Sequence, residues 1–175
     1  DLMKETLIAA TLIAKYAGII VLYDFQGESL FQLLVERLNI FTDPQRPMMQ
    51  QQGIYPIGNP TEDSPVMITT NFSLTYFIVS GEIEASRVPG WLLVMDTEGL
   101  SVLTAWAAGK FVGDAIGAFV KKSGITEKVK HRRVIIPGAV AAVSGDLEEE
   151  LGSGWEVKIG PREAAHLPAY LKMAS

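Results

Sequence analysis

The sequence has no cysteine in its 175 residues. That excludes disulfides, thiolate zinc sites, cysteine nucleophiles and Cys-ligated iron–sulfur clusters within these residues. Histidine is nearly absent too, with only His131 and His166, so a multi-histidine metal site is not expected. Basic residues are the minority. Fifteen Lys and Arg against twenty Asp and Glu give a formal net charge of -5. A nucleic-acid binder carries a basic footprint, and this chain does not. No G-x-G-x-x-G follows any apolar run, and no G-x-x-x-x-G-K-[ST] is present. The dinucleotide and P-loop fingerprints are therefore missing.

What is present is apolar. Hydrophobic residues make up 48 % and charged residues 20 %, enough for a sizeable core and too greasy for disorder. The stretch Leu7 to Phe25 (LIAATLIAKYAGIIVLYDF) approaches the ~20 apolar residues of a membrane span. Lys15 near its middle would cost roughly 2.5–3.5 kcal/mol on insertion. Gly18 divides it, and the halves differ: Ala and Leu before, β-branched Ile19-Ile20-Val21 after. The pattern predicts a helix over 2–16, a turn and a buried strand over 18–25, in a cytoplasmic protein outside the membrane. Residues 28–40 have helical spacing, with Leu30, Leu33, Leu34 and Leu38 on one side. Residues 1–41 thus read as the last αβα piece of an α/β barrel. The opening Asp1-Leu2-Met3 is neither an initiator methionine nor a signal peptide, so the chain reads as a piece of a longer protein.

Five prolines fall between residues 42 and 65, beside Gln50-Gln51-Gln52, which predicts an extended linker. Then a rhythm begins. Short apolar runs at 66–70, 91–95, 133–136 and 155–159 alternate with helical segments at 73–86, 101–119, 140–150 and 162–173. The βα repeat predicts a parallel sheet with helices on both faces: a small doubly wound, Rossmann- or flavodoxin-like α/β domain over 66–175.

In such folds ligands sit at the carboxyl ends of the strands. The loops there are Thr69-Thr70-Asn71, Asp96 to Ser101, Pro137-Gly138-Ala139 and Gly160 to Glu163. They are rich in glycine and hydroxyls and carry one cation, Arg162. No nucleophile–base pair is among them. Such loops suit a large neutral or anionic cofactor; the same residues also serve as helix caps and turn formers. Asp96 and Glu98 could ligate Mg²⁺, or one of them could cap the next helix. His131, in a basic run before the third strand, reads as part of a solvated patch at the far end of the sheet. His166 reads as a partly exposed helical residue, and Trp106 as a packing residue.

These runs carry a resemblance. ITTNFSLTYF (68–77), VPGWLLVMDTEGLSVLTAWAAGKF (88–111), RRVIIPGAVAAVSGDLEEELG (132–152) and GWEVKIGPREAAHLPAYLK (154–172) resemble, in order, the C-terminal part of a known subunit. It is the large (gamma) subunit of the corrinoid iron–sulfur protein of the acetyl-CoA synthase/decarbonylase (CO dehydrogenase) system. The resemblance implies a TIM barrel before a corrinoid domain. It implies a heterodimeric methyl carrier in a carbon-fixing route, the reductive acetyl-CoA pathway, rather than a self-contained enzyme. The methyl comes from methyltetrahydrofolate, or a pterin, through a methyltransferase, and goes to acetyl-CoA synthase. A small subunit and a reductive activator are further implied partners; no nucleic acid or membrane is. The implied cofactor is a cobalamin-type corrinoid. With no Cys here, the implied iron–sulfur cluster belongs to an upstream N-terminal part.

Other corrinoid carriers use D-x-H-x-x-G, whose His binds cobalt. Here the aligned residues are Asp96-x-Glu98-x-x-Ser101, which implies a base-off corrinoid and no metal-ligating residue from the protein. The resemblance places Thr97 and Thr104 near the lower face. It places Thr69, Thr75, Gly99, Leu100, Ser101, Val102, Gly138 and Arg162 around the ring's side chains and nucleotide tail. Two other readings remain open: a flavin- or nucleotide-binding domain of an oxidoreductase, and a purely structural interaction domain.

Overall fold

The computed structural model describes residues 1–24, 26–41 and 48–174. The chain divides into two compact units, Asp1–Arg46 and Pro47–Ser175.

The first unit pairs two helices, α1 (Leu2–Ala14) and α2 (Gly27–Phe41). Asp1 caps α1 by accepting from the Met3 N–H at 3.1 Å. Thr6 on α1 and Ser29 on α2 join through their hydroxyls at 2.9 Å. The strand expected at 18–25 does not form. Residues 18–24 are irregular, and residue 25 lies outside the described residues. Ile19, Val21 and Tyr23 are 88, 85 and 100 % exposed. A lone strand has no neighbour for its N–H and C=O groups, and β-propensity alone does not replace one. No helix among the described residues is long and apolar enough to cross a membrane.

The second unit is α/β. Its elements run β1 (Gly53–Ile57), β2 (Val66–Thr70), α3 (Ser73–Ser86), β3 (Gly90–Met95), α4 (Val102–Ala107), α5 (Gly113–Ser123), β4 (Arg133–Ile136), α6 (Ser144–Leu151), β5 (Glu156–Ile159) and α7 (Leu167–Ala174). The strands form one sheet in the order β1-β3-β2-β4-β5. β1 runs antiparallel to β3, and the other pairs are parallel.

Alternation along the strands builds two cores. Val66, Ile68, Leu93, Val134, Ile136 and Val157 face α4, α5 and α6, meeting Ala105, Ile116, Val120 and Leu147. Met67, Leu92, Val94 and Ile135 face the other way, meeting Ile83 of α3 and Leu171 of α7. Both faces of the sheet are therefore covered, which explains why β2 is buried at all five positions.

Three expectations need correction. The linker at 42–65 is largely structured: residues 42–47 lie outside the described residues, but 53–57 are a strand of the sheet. Around it, Gln50 N–H donates to Asn71 O at 2.8 Å, Ser73 N–H to Met48 O at 3.0 Å, and the Trp91 indole N–H to Thr61 O at 3.0 Å. Second, the helix expected over 101–119 is two helices. Gly109, at φ 70°, ends α4: its N–H donates to Trp106 O, and that of Lys110 to Ala105 O. Only glycine enters that left-handed position freely. Third, the helices expected at 140–150 and 162–173 each begin as 3₁₀ turns, Gly138–Val143 and Ala164–His166.

Candidate functional site

The strand order reverses direction between β2 and β4: the chain moves from β2 to β3 on one side, and from β4 to β5 on the other. β2 and β4 share one register pair, Met67 with Ile135. A cleft of about 430 Å³ lies at their carboxyl ends, lined by residues from both strands. This is the place where open α/β sheets bind ligands.

Each wall comes from an identifiable element. Thr69 and Ile136 come from the strand ends. Thr75, Ile78 and Val79 come from α3, three and four residues apart on one helix face. Ser101, Val102 and Leu103 begin α4, and Pro137 and Ala139 follow β4. Pro161 and Arg162 follow β5, and Leu167 starts α7. The lining is mostly apolar, with a few hydroxyls, the Arg162 guanidinium and the Glu163 carboxylate.

One atom in this wall is out of balance. Thr69 is 1 % exposed, and its hydroxyl has no hydrogen-bond partner among the described residues. A buried hydroxyl left unpaired costs roughly 1–3 kcal/mol. Here it lines a cleft, so a ligand group placed there would satisfy it. Thr70 also has an unpaired hydroxyl but does not line the cleft.

The β3–α4 loop beside the cleft is held by Asn71. Its side-chain oxygen accepts from Thr97 N–H at 2.9 Å and Gly99 N–H at 3.0 Å, and lies 3.2 Å from the Thr97 hydroxyl. Its amide donates to Asp96 Oδ1 at 2.9 Å, and Glu98 N–H donates to the same oxygen at 2.9 Å. The loop turns through two left-handed residues, Glu98 at φ 57° and Gly99 at φ 73°. Glycine takes this conformation without strain, whereas Glu98 does not. The Glu98 carboxylate points outward and pairs with Lys110.

Five of the ten sequence-picked residues line the cleft: Thr69, Thr75, Ser101, Val102 and Arg162. The other five do not. Thr97 is 1 % exposed and spends its hydroxyl on Asn71 and Leu100 O. Gly99 gives its N–H to Asn71. Leu100 packs against the core. Thr104 is exposed, its hydroxyl 3.0 Å from that of Ser101. Gly138 is a packing glycine: a Cβ there would fall 2.3 Å from Gly160 O, so it lets the loops after β4 and β5 touch.

Asp96 closes the turn over Glu98 rather than capping α4, whose first turn has no side-chain cap. Among the described residues no group of three or more His, Asp and Glu is placed to hold a metal ion. His131 sits at the amino end of the sheet, as its position implied, yet it is not simply solvated. Its Nδ1 accepts from Arg133 N–H at 3.2 Å, so Nε2 carries the hydrogen toward Ser64 O at 2.9 Å. His166 is exposed in its 3₁₀ turn. Trp106, expected to pack, is 43 % exposed.

Missed at the sequence level were the Asn71 hub and the α3 contribution of Ile78 and Val79. The second had a signal, since both lie at helical spacing from Thr75. The first had none, because the partners of Asn71 lie 25 to 28 residues away.

The fold and the cleft define a class: an α/β domain with a mostly parallel sheet and a ligand cleft at the reversal of strand order. Comparison with known proteins narrows it. The family described as CO dehydrogenase/acetyl-CoA synthase delta subunit matches residues 2–171, and the chain belongs to that family. Its curated relatives carry large- or gamma-subunit names. The corrinoid/iron-sulfur protein large subunit of Moorella thermoacetica is 48 % identical over 170 residues, 97 % of this chain and 38 % of the relative. The acetyl-CoA decarbonylase/synthase complex subunit gamma of Methanopyrus kandleri is 40 % identical over 169 residues, 97 % and 36 % of the two chains. That of Methanocaldococcus jannaschii is 39 % identical over 170 residues, 97 % and 34 %. The chain thus spans a little over a third of the length of these relatives.

Proposed function

We propose that residues 66–175 form the corrinoid-holding domain of a methyl carrier, and that the cleft between β2 and β4 receives the corrinoid. One observation carries the reading: Thr69 lines this cleft, and its buried hydroxyl has no hydrogen-bond partner among the described residues. The donor set fits the group. Thr75 and Ser101 offer further hydroxyls, Arg162 offers a cation for an anionic arm, and Ile78, Val102 and Leu167 offer apolar surface. When bound, the corrinoid supplies a cobalt that accepts and gives up a methyl group. The chain's own residues do the rest. Thr69 and Ser101 orient polar edges, Arg162 pairs with negative charge, and α3 and α7 exclude water.

Neither histidine lines the cleft, which supports a base-off corrinoid without a protein imidazole. Glu98, aligned with the histidine of other carriers, turns its carboxylate out to Lys110 instead. The methyl donor would be methyltetrahydrofolate through a methyltransferase, and the acceptor acetyl-CoA synthase. A small corrinoid-protein subunit and a reductive activator complete the partner set. The chain has no Cys, so an iron–sulfur cluster would be held elsewhere in the protein. Residues 1–41 are read as the end of a barrel. Leu7, Ile8, Phe31 and Leu34 are exposed on α1 and α2, as expected of helices that pack on further chain.

The test is reconstitution of the 175-residue chain with cobalamin, followed by desalting and a visible spectrum. Retained absorbance with base-off features is expected. A colourless chain that binds flavin instead overturns the reading.

A further inference from the structure

A second cleft, of about 370 Å³, opens at the amino end of the sheet. It lies on the same face as the first but at the opposite end of the strands. The two stand back to back. Ile135 lines both, and on α7 the first uses Leu167 while the second uses Leu171, one turn on. The floor of the second cleft is apolar, from Ile135 and Leu171, with Val88 and Pro89 beside it.

Its rim is charged. β4 and β5 are in register with Arg133 opposite Glu156 and Ile135 opposite Lys158. Alternation therefore turns Arg133, Ile135, Glu156 and Lys158 to one face. Lys158 pairs with Glu156 along its own strand. Arg133 has no carboxylate within ion-pair distance among the described residues. Asp63 is the acidic group that lines the cleft itself. Tyr170 stands at the same rim, its hydroxyl pKa raised by burial and further by Glu156, against a lowering effect of Lys158. It is a hydrogen-bond donor at neutral pH. His131 also lines the cleft, but both ring nitrogens are engaged, with Arg133 N–H and Ser64 O. The imidazole is a fixed wall.

We propose that this cleft binds a small organic anion, its carboxylate or phosphate held by Arg133, Lys158 and the Tyr170 hydroxyl, and its apolar body laid over Leu171 and Val88. The two halves of the lining select this class together. A wholly apolar ligand would cover a guanidinium without pairing it, which is costly. An inorganic anion would leave the apolar floor in water. An amphiphilic anion satisfies both, and the planar guanidinium suits either head group bidentately. The volume falls in the range of small-molecule sites.

The test is an NMR titration of the whole 175-residue chain with phenyl phosphate, benzoate and, as the uncharged analogue, benzyl alcohol. Saturable shifts at Arg133, Lys158 and Tyr170 are expected with the anions and not with the alcohol. The tighter of the two anions identifies the head group. The double variant Arg133→Gln/Lys158→Gln should weaken anion binding about tenfold or more, the scale of lost charged hydrogen bonds. Tyr170→Phe, which keeps the ring, should weaken it less. Absent saturation with both anions, equal shifts with benzyl alcohol, or undiminished binding in the variants would each overturn the proposal.

Discussion

The Asn71 side-chain oxygen accepts the Gly99 N–H at 3.0 Å across 28 residues of chain. That bond ties the end of β2 to the loop after β3, which leads into the Ser101–Leu103 wall of the cleft.

Removing the tie should therefore cost more than one hydrogen bond. Asn71→Ala leaves the N–H groups of Thr97 and Gly99, both in buried residues, without their acceptor. A loss of roughly 1–3 kcal/mol is expected in urea unfolding. Asn71→Asp keeps the acceptor but sets a carboxylate against Asp96, so its loss should shrink as the medium is acidified. An Asn71→Ala chain as stable as the parent would show that the loop holds itself.

Thr69→Val addresses the unpaired hydroxyl. Deleting a buried polar group that has no partner should leave the ligand-free chain as stable as before, or up to about 1 kcal/mol more stable. Corrinoid retention after desalting should fall. A stability loss together with undiminished retention would place the hydroxyl's partner inside the protein.

Glu98 is held at φ 57° without being glycine. A left-handed non-glycine residue costs roughly 1–2 kcal/mol, while its exposed pair with Lys110 contributes little. Glu98→Gly should thus raise thermal stability. An unchanged or lower Tm would mean that the Lys110 pair, or the freedom glycine adds to the unfolded chain, offsets the strain.

Gly113 opens α5 where it crosses α6. A Cβ there would fall 2.6 Å from Asp146 Cβ and 2.7 Å from Leu147 N. Backbone has to shift, so Gly113→Ala should cost about 1–3 kcal/mol. Gly117, one turn on, would meet only Glu150 side-chain atoms and the more distant Leu147. Gly117→Ala should be the milder of the two in the same melts, and the reverse order would argue against this crossing.

Burial raises the hydroxyl pKa of Tyr76 above its ordinary value of 10.0, with Tyr55 and Glu84 adding to the effect. The folded state then holds the proton more tightly than the unfolded state. Its stabilising effect is complete below the unfolded pKa and is lost as pH rises through the folded one. Stability should fall on the alkaline side of pH ~10, and Tyr76→Phe should blunt that fall. Tyr170 shifts the same way, so a residual slope is expected in the single variant.

The βα rhythm from residue 66 onward was legible because strands buried on both faces read as short apolar runs. Val66–Thr70 and Gly90–Met95 are such runs. The same logic misread Ile19 to Val21, where β-branched residues have no strand beside them. Position along the strands pointed to the carboxyl end of the sheet, and Thr69 and Arg162, picked on that ground, line the cleft. It could not separate wall from support. Thr97 and Gly99 look like ligand contacts in sequence, and only the fold shows their hydrogen bonds turned inward to Asn71. Proline density hid β1, since composition alone cannot tell a linker from a sheet margin.

Pro56 lies within β1, in register with Trp91 of β3. Among the described residues β1 has β3 on one side and no further strand of this sheet on the other. A proline there offers no N–H, so an incoming strand would find an interrupted row of donors. The far margin is β5, four residues long and followed by Gly160-Pro161. Each side of the sheet thus carries its own stop against being extended by another chain.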